Sequence, residues 1–135
     1  MDRARAVMGQ IEQLIRAHQT NDAARLLESL TASSPNDPTV LMSVATAYVQ
    51  MGDLAGSERI MKHMTEVAPD SAETWYNLAS LQAAQRKTNE SLANLKKALQ
   101  VFDAHPGAQD LRSYNKNDRN FDAIRNTPEF QKLMK

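Results

Sequence analysis

Apolar residues recur along this chain at helical spacing, in blocks separated by short polar breaks. Val7, Ile11 and Leu14 fall at i, i+4 and i+7, which predicts a helix over about residues 3–17. His18-Gln19-Thr20-Asn21 breaks it, with Thr20 or Asn21 as N-cap of a second helix carrying Ala23, Leu26, Leu27 and Leu30 up to Ser33-Ser34-Pro35-Asn36. Asp37-Pro38, a capping carboxylate before a first-position proline, starts a third helix through Leu41, Val44, Ala45 and Tyr48 to Gly52. Asp53 opens a fourth, with Ile60, Met61, Met64 and Val67 on its stripe before Pro69. Asp70 and Glu73 have capping-box spacing for a fifth, which carries Trp75, Leu78, Ala79 and Leu81. Thr88 or Asn89 opens a sixth, with Leu92, Leu95, Ala98, Leu99 and Phe102, ending at His105-Pro106-Gly107.

The blocks repeat. Trp75 stands over Leu41 and Val7 at steps of 34 residues, Ala79 over Ala45 and Ile11, Ser91 over Ser57 and Ala23, and Leu95 over Met61 and Leu27. Residues 106–120, PGAQDLRSYNKNDRN, are polar and weakly periodic and read as an irregular connection with a short helical turn. Phe121 and Ile124 then precede Thr127-Pro128-Glu129, which starts a last helix carrying Phe130, Leu133 and Met134. These five large apolar residues in a polar tail need a surface, and the open end of the third repeat supplies one. With few Gly, Pro, Val and Ile, strands have little support and the class is all-α.

A helix–turn–helix period of 34 residues resembles the tetratricopeptide repeat family over residues 4–105. The third copy carries Trp75, Leu78, Ala79, Ser91, Leu95 and Ala98. The second carries Leu41, Ala45, Tyr48, Gly52, Ser57, Met61 and Pro69, and the first Val7, Leu14, Ala23, Leu27, Leu30 and Pro35. Two residues depart from the pattern: Ile11 replaces a small one, and Asp103 stands where Pro35 and Pro69 call for proline. The resemblance implies a right-handed α-solenoid of three antiparallel helix pairs in a single domain. Its repeats would be 4–37, 38–71 and 72–105, with short capping helices in 106–135.

In that family the first helix of each pair lines a concave surface. One step past Val7, Leu41 and Trp75 come Met8, Met42 and Tyr76, and seven further come Ile15, Val49 and Ala83. Glu12, Thr46 and Ser80 lie between these rows, with Asn77 beside the first. Two apolar rows around a polar one predict a groove for a peptide or helix of a partner protein, and Asn77 matches the asparagine that contacts ligand main chain in the family. The other readings are that the tail or a second copy of the chain fills the groove, or that the chain is a structural, self-assembling scaffold segment of a larger protein or homo-oligomer. Chaperone-tail adaptors of the family hold a terminal carboxylate with cations, but the matching places here are Met8, Glu12, Ser43, Glu73 and Asn77, so an acidic chaperone C-terminus is not an expected partner.

Sixteen basic and sixteen acidic residues cancel, which argues against nucleic acid as a partner. No stretch approaches the about 18 consecutive apolar residues that membrane insertion needs. The absence of Cys fits a reducing, cytoplasmic compartment and removes a thiol nucleophile. His18, His63 and His105 lack metal-ligand spacing, and the scattered glycines form no phosphate loop. Neither an enzyme nor a cofactor site is expected. Lys96-Lys97 and the group Arg112, Lys116 and Arg119 read as solvated faces.

Overall fold

Side chains with good helix propensity fill the chain between its polar breaks, and the backbone follows them. The computed structural model describes residues 2–106 and 110–135, and every regular element among them is helical. The helices are α1 (Asp2–Arg16), α2 (Thr20–Ser33), α3 (Pro38–Gln50), α4 (Leu54–Val67), α5 (Ala72–Ala84), α6 (Thr88–Ala104), α7 (Leu111–Asn115) and α8 (Pro128–Leu133), with a 3-10 turn at Arg119–Phe121. Gly107, expected to help end the sixth helix, lies outside the described residues.

The two aspartate- or threonine-proline starts form as their sequence predicts. Asp37 accepts hydrogen bonds from the Thr39 and Val40 amides, and Thr127 from that of Phe130. Other caps differ. At α5 the cap is Ser71, whose Oγ accepts from the Thr74 amide, in place of Asp70. Thr20 and Thr88 are the first helical residues of α2 and α6, and the N-cap positions fall to Gln19 and Lys87 without side-chain caps.

Turn geometry accounts for this last difference. Within each helix pair one residue takes a positive φ: His18 (60°), Gly52 (78°) and Arg86 (63°), again spaced by the repeat. The next amide bonds back to the carbonyl of Leu14, Tyr48 or Gln82, closing the same left-handed helix terminus three times. So tight a turn leaves one residue before the next helix, whatever its side chain. Only Gly52 adopts this backbone without steric cost. Replacing His18 or Arg86 by glycine is expected to raise stability by about 0.5–1 kcal/mol each, whereas Gly52→Ala lowers it by a similar amount. Urea unfolding followed by circular dichroism checks the sign.

The chain gathers into two units, Met1–Val67 and Ala68–Lys135. In the first, α1 packs on α2 and α3, and α3 on α4. Its core is Ile11, Ala23, Leu27, Leu30, Val40, Val44, Ala47 and Tyr48. In the second, α5 pairs with α6 over Ala79, Leu95, Ala98 and Leu99. The small residues at the repeated crossing positions, Ala23, Ser57 and Ser91, are fully buried. Ser91 donates its hydroxyl to the Ala79 carbonyl at 2.7 Å, which satisfies a polar group at a close helix contact.

Leu111, Phe121, Ile124 and Phe130 all enter the second unit's core, so the tail closes the end of the third repeat. Asp103, the residue that replaces the repeat's proline, has a part in this. Without proline there, α6 runs to Ala104 and spans 17 residues against 14 for α2 and α4. The Asp103 carboxylate then takes a bidentate pair of hydrogen bonds from Arg112, at 2.9 and 3.1 Å, tying α6 to the tail. Those bonds hold the Asp103 carboxyl below its usual range. Arg112 is therefore an ion-pair partner and not part of a free basic face.

Candidate functional site

The expected groove rows sit on α1, α3 and α5, and the structure treats the first two helices differently from the third. Met8 lies half-buried on α1, against the core of the first unit. Met42 and Ser43 lie half-buried on α3, with Thr46 exposed one turn on. Together with Glu12, Ala47 and Gln50 these residues line a shallow cleft of about 210 Å³. Met8 and Ser43 continue into a second cleft of about 190 Å³ whose walls include Ala4, Leu30 and Val40.

The α1/α3 surface pairs apolar contact area with polar edges. The Thr46 hydroxyl donates to the Met42 carbonyl at 2.9 Å and that of Ser43 to the Thr39 carbonyl at 3.2 Å. Each hydroxyl oxygen keeps its acceptor capacity toward an incoming amide. Glu12 is exposed and stands 4.0 Å from Arg16. Ile15 packs half-buried against the core and lines neither cleft, while Val49 is 42% exposed. The structure thus brings Met8, Glu12, Met42 and Thr46 to one place and leaves Ile15 and Val49 outside it.

On α5 the expectation of an open row is corrected. Tyr76 is 2% exposed and Ser80 is 8% exposed, because the chain's own tail covers them. The Tyr76 hydroxyl donates to Asp118 Oδ2 at 2.8 Å and accepts from Asn115 Nδ2 at 3.3 Å. The Ser80 hydroxyl donates to the same Asp118 oxygen at 2.9 Å and accepts from Asn120. The Tyr76 ring meets Tyr114 edge-on at 5.5 Å and Phe121 at 5.6 Å. Burial, and then the carboxylate beside it, push the Tyr76 phenol above its ordinary pKa. Asn77 remains half-buried on α5.

Trp75 and Tyr76 exchange their expected roles. Trp75 is only half-buried, donates its indole N–H to the Pro69 carbonyl at 2.8 Å and lies under Lys97. The polar tail residues responsible, Asn115, Asp118 and Asn120, lie in the stretch read as an irregular connection. A local clue is present there. Asp110 and Asp118 each cap the helical turn that follows, a spacing visible as Asp110-Leu-Arg-Ser and Asp118-Arg-Asn.

Among the described residues no group of His, Asp or Glu is placed to hold a metal ion, and no helix is long and apolar enough to cross a membrane. The family model described as tetratricopeptide repeat matches residues 14–84, from the second half of α1 to the end of α5. No match is found among curated proteins.

Proposed function

Because the chain belongs to the tetratricopeptide repeat family, whose repeats are non-catalytic protein–protein interaction modules, we propose that it binds a short partner peptide on the α1/α3 surface. Met8 and Met42 supply the adaptable apolar contact, and Glu12, Ser43 and Thr46 bond the peptide's polar groups. The observation that carries this reading is internal to the chain. One repeat length after Met42 and Thr46 stand Tyr76 and Ser80, and there both side chains hydrogen-bond a segment of this same chain. The corresponding places on α1 and α3 line a cleft within the first unit. The repeated face supports polypeptide capture once, and the remaining copies of the face are offered to a partner.

A short segment that orders on binding is expected to bind at micromolar affinity, about −8 kcal/mol. Peptides selected from a random display library on the wild-type protein, then titrated by fluorescence anisotropy, test the reading. The double variant Met8→Glu/Met42→Glu should bind them at least about tenfold more weakly with an unchanged helical melt. Tyr76 is left intact, since a charge at a 2% exposed position would unfold the second unit. Equal binding by the double variant would sink the proposal. A sedimentation coefficient that rises with protein concentration, and falls back in the variant, would instead assign the cleft to self-association.

A further inference from the structure

The second unit carries a larger cleft that the groove expectation does not include. It measures about 610 Å³ and runs along α6 between α7 and α8. Its α6 wall is a continuous helical stripe from Asn89 to Asp103, so it is about 20 Å long. The floor is apolar: Leu99 is buried, and Leu92 and Leu133 are half-buried. The rim carries Lys96, Lys132 and Lys135, which have no ion-pair partner among the described residues. Arg112 and Asp103 also stand at the rim but neutralise each other. Glu129 is the remaining acidic side chain, so the side chains of the cleft carry a net excess of two positive charges.

We infer that this α6/α8 cleft is a second protein-docking surface, whose occupant is an acidic amphipathic helix of about three to four turns. The length of the α6 stripe sets the size of the occupant. The leucine floor requires large apolar side chains at i, i+3 or i+4 and i+7, and the lysine rim selects carboxylates flanking them. Charge complementarity fixes the sign: a basic helix would meet three unpaired ammonium groups and lose water from them without compensation. A polyanion or an anionic bilayer is the poorer fit. Three lysines opposed by a glutamate, in a chain of zero formal net charge, give little counterion-release or surface attraction, and phosphates make no use of a leucine floor.

The probe is a fluorescein-labelled synthetic helix of about 14 residues, with leucines at helical spacing and glutamates between them. Controls are the same peptide with lysine for glutamate, the same with serine for leucine, a single-stranded oligonucleotide, and phosphatidylserine vesicles. The acidic amphipathic probe is expected to bind the full chain, to shift the backbone amides of α6 and α8 by NMR, and to weaken as salt rises. Lys96→Glu/Lys132→Glu should weaken it about tenfold, consistent with two rim charges of modest energy each. Both lysines are exposed, so the variant should fold, and an unchanged melt confirms it. Met8→Glu/Met42→Glu should leave this binding intact, which separates it from the α1/α3 reading. Four results would overturn the inference. These are no binding up to millimolar probe, equal affinity for the charge-reversed variant, amide shifts confined to α1 and α3, or equal binding of the leucine-free peptide, oligonucleotide or vesicles.

Discussion

Phe121→Ala is expected to cost about 3–5 kcal/mol, the range for emptying a fully buried phenylalanine site. Phe121 has no exposed surface, and its ring lies 5.6 Å from that of Tyr76 and 5.7 Å from that of Phe130. Removing it leaves a cavity where α5, the 3-10 turn and α8 meet. It also withdraws an aromatic partner from each neighbouring ring. Trp75, the only tryptophan, lies in the second unit, so its fluorescence in a urea titration reports this unit directly. A midpoint within a few tenths molar of wild type would show that the tail is not part of the core. Tyr114→Ala serves as the contrast. Tyr114 is 49% exposed and meets Tyr76 only edge-on, so about 1 kcal/mol is expected.

Arg125→Ala is expected to cost about 2–3 kcal/mol, and Arg125→Lys to recover little of it. The guanidinium donates to Asn115 Oδ1 at 3.1 Å, to the Asn115 carbonyl at 3.0 Å and to the Asp118 carbonyl at 2.7 Å. It also pairs with Asp122 at 3.5 Å and lies over the Phe130 ring. A planar fork bonds two carbonyls and an amide at once, whereas one ammonium cannot reach all three. Through Asn115 and Asp118 the clamp holds the groups that cover Tyr76 and Ser80. Hydrogen exchange across residues 115–121 should therefore speed up in Arg125→Ala. Unchanged protection there, with unchanged stability, would reduce Arg125 to a surface contact.

Together these substitutions separate two functions of the tail. Phe121 supplies apolar burial, while Arg125 and Asp118 set the path of the backbone. Both parts meet Tyr76 on α5, but only the second hydrogen-bonds Tyr76 and Ser80. A chain that kept the aromatic residues but lost the polar clamp would still close the repeat's end, with Tyr76 and Ser80 less completely covered.

The periodic stripes, the 34-residue spacing and the aspartate- and threonine-proline starts are all local or regularly spaced features, and the corresponding helices could be read from them. Helix boundaries agree within about a residue because caps and breakers act over one turn. The tail's apolar residues also announced themselves, since Phe121, Ile124 and Phe130 have no stripe of their own long enough to bury them. What escaped the reading is polar and non-local. Asp118 meets Tyr76 and Ser80 across about 40 residues of chain. An aspartate in a polar stretch has the same appearance whether it faces water or a buried tyrosine.

The repeated positions on α1, α3 and α5 show this division most plainly. Repeat spacing placed Met8, Met42 and Tyr76 at equivalent positions, and for a single helix they are equivalent. Their environments are set by what packs next. Around Met8 and Met42 a cleft is left, whereas Tyr76 meets Phe121, Asn115 and Asp118 and becomes core. Likewise Asp103 read as a lapse from the pattern, and the folded chain uses it to hold Arg112. Sequence alone determined the helices, their pairing and the family, because those depend on short-range periodicity. Which copy of the repeated face stays open was decided by the tertiary structure, because burial is a property of the neighbours a residue acquires and not of the residue.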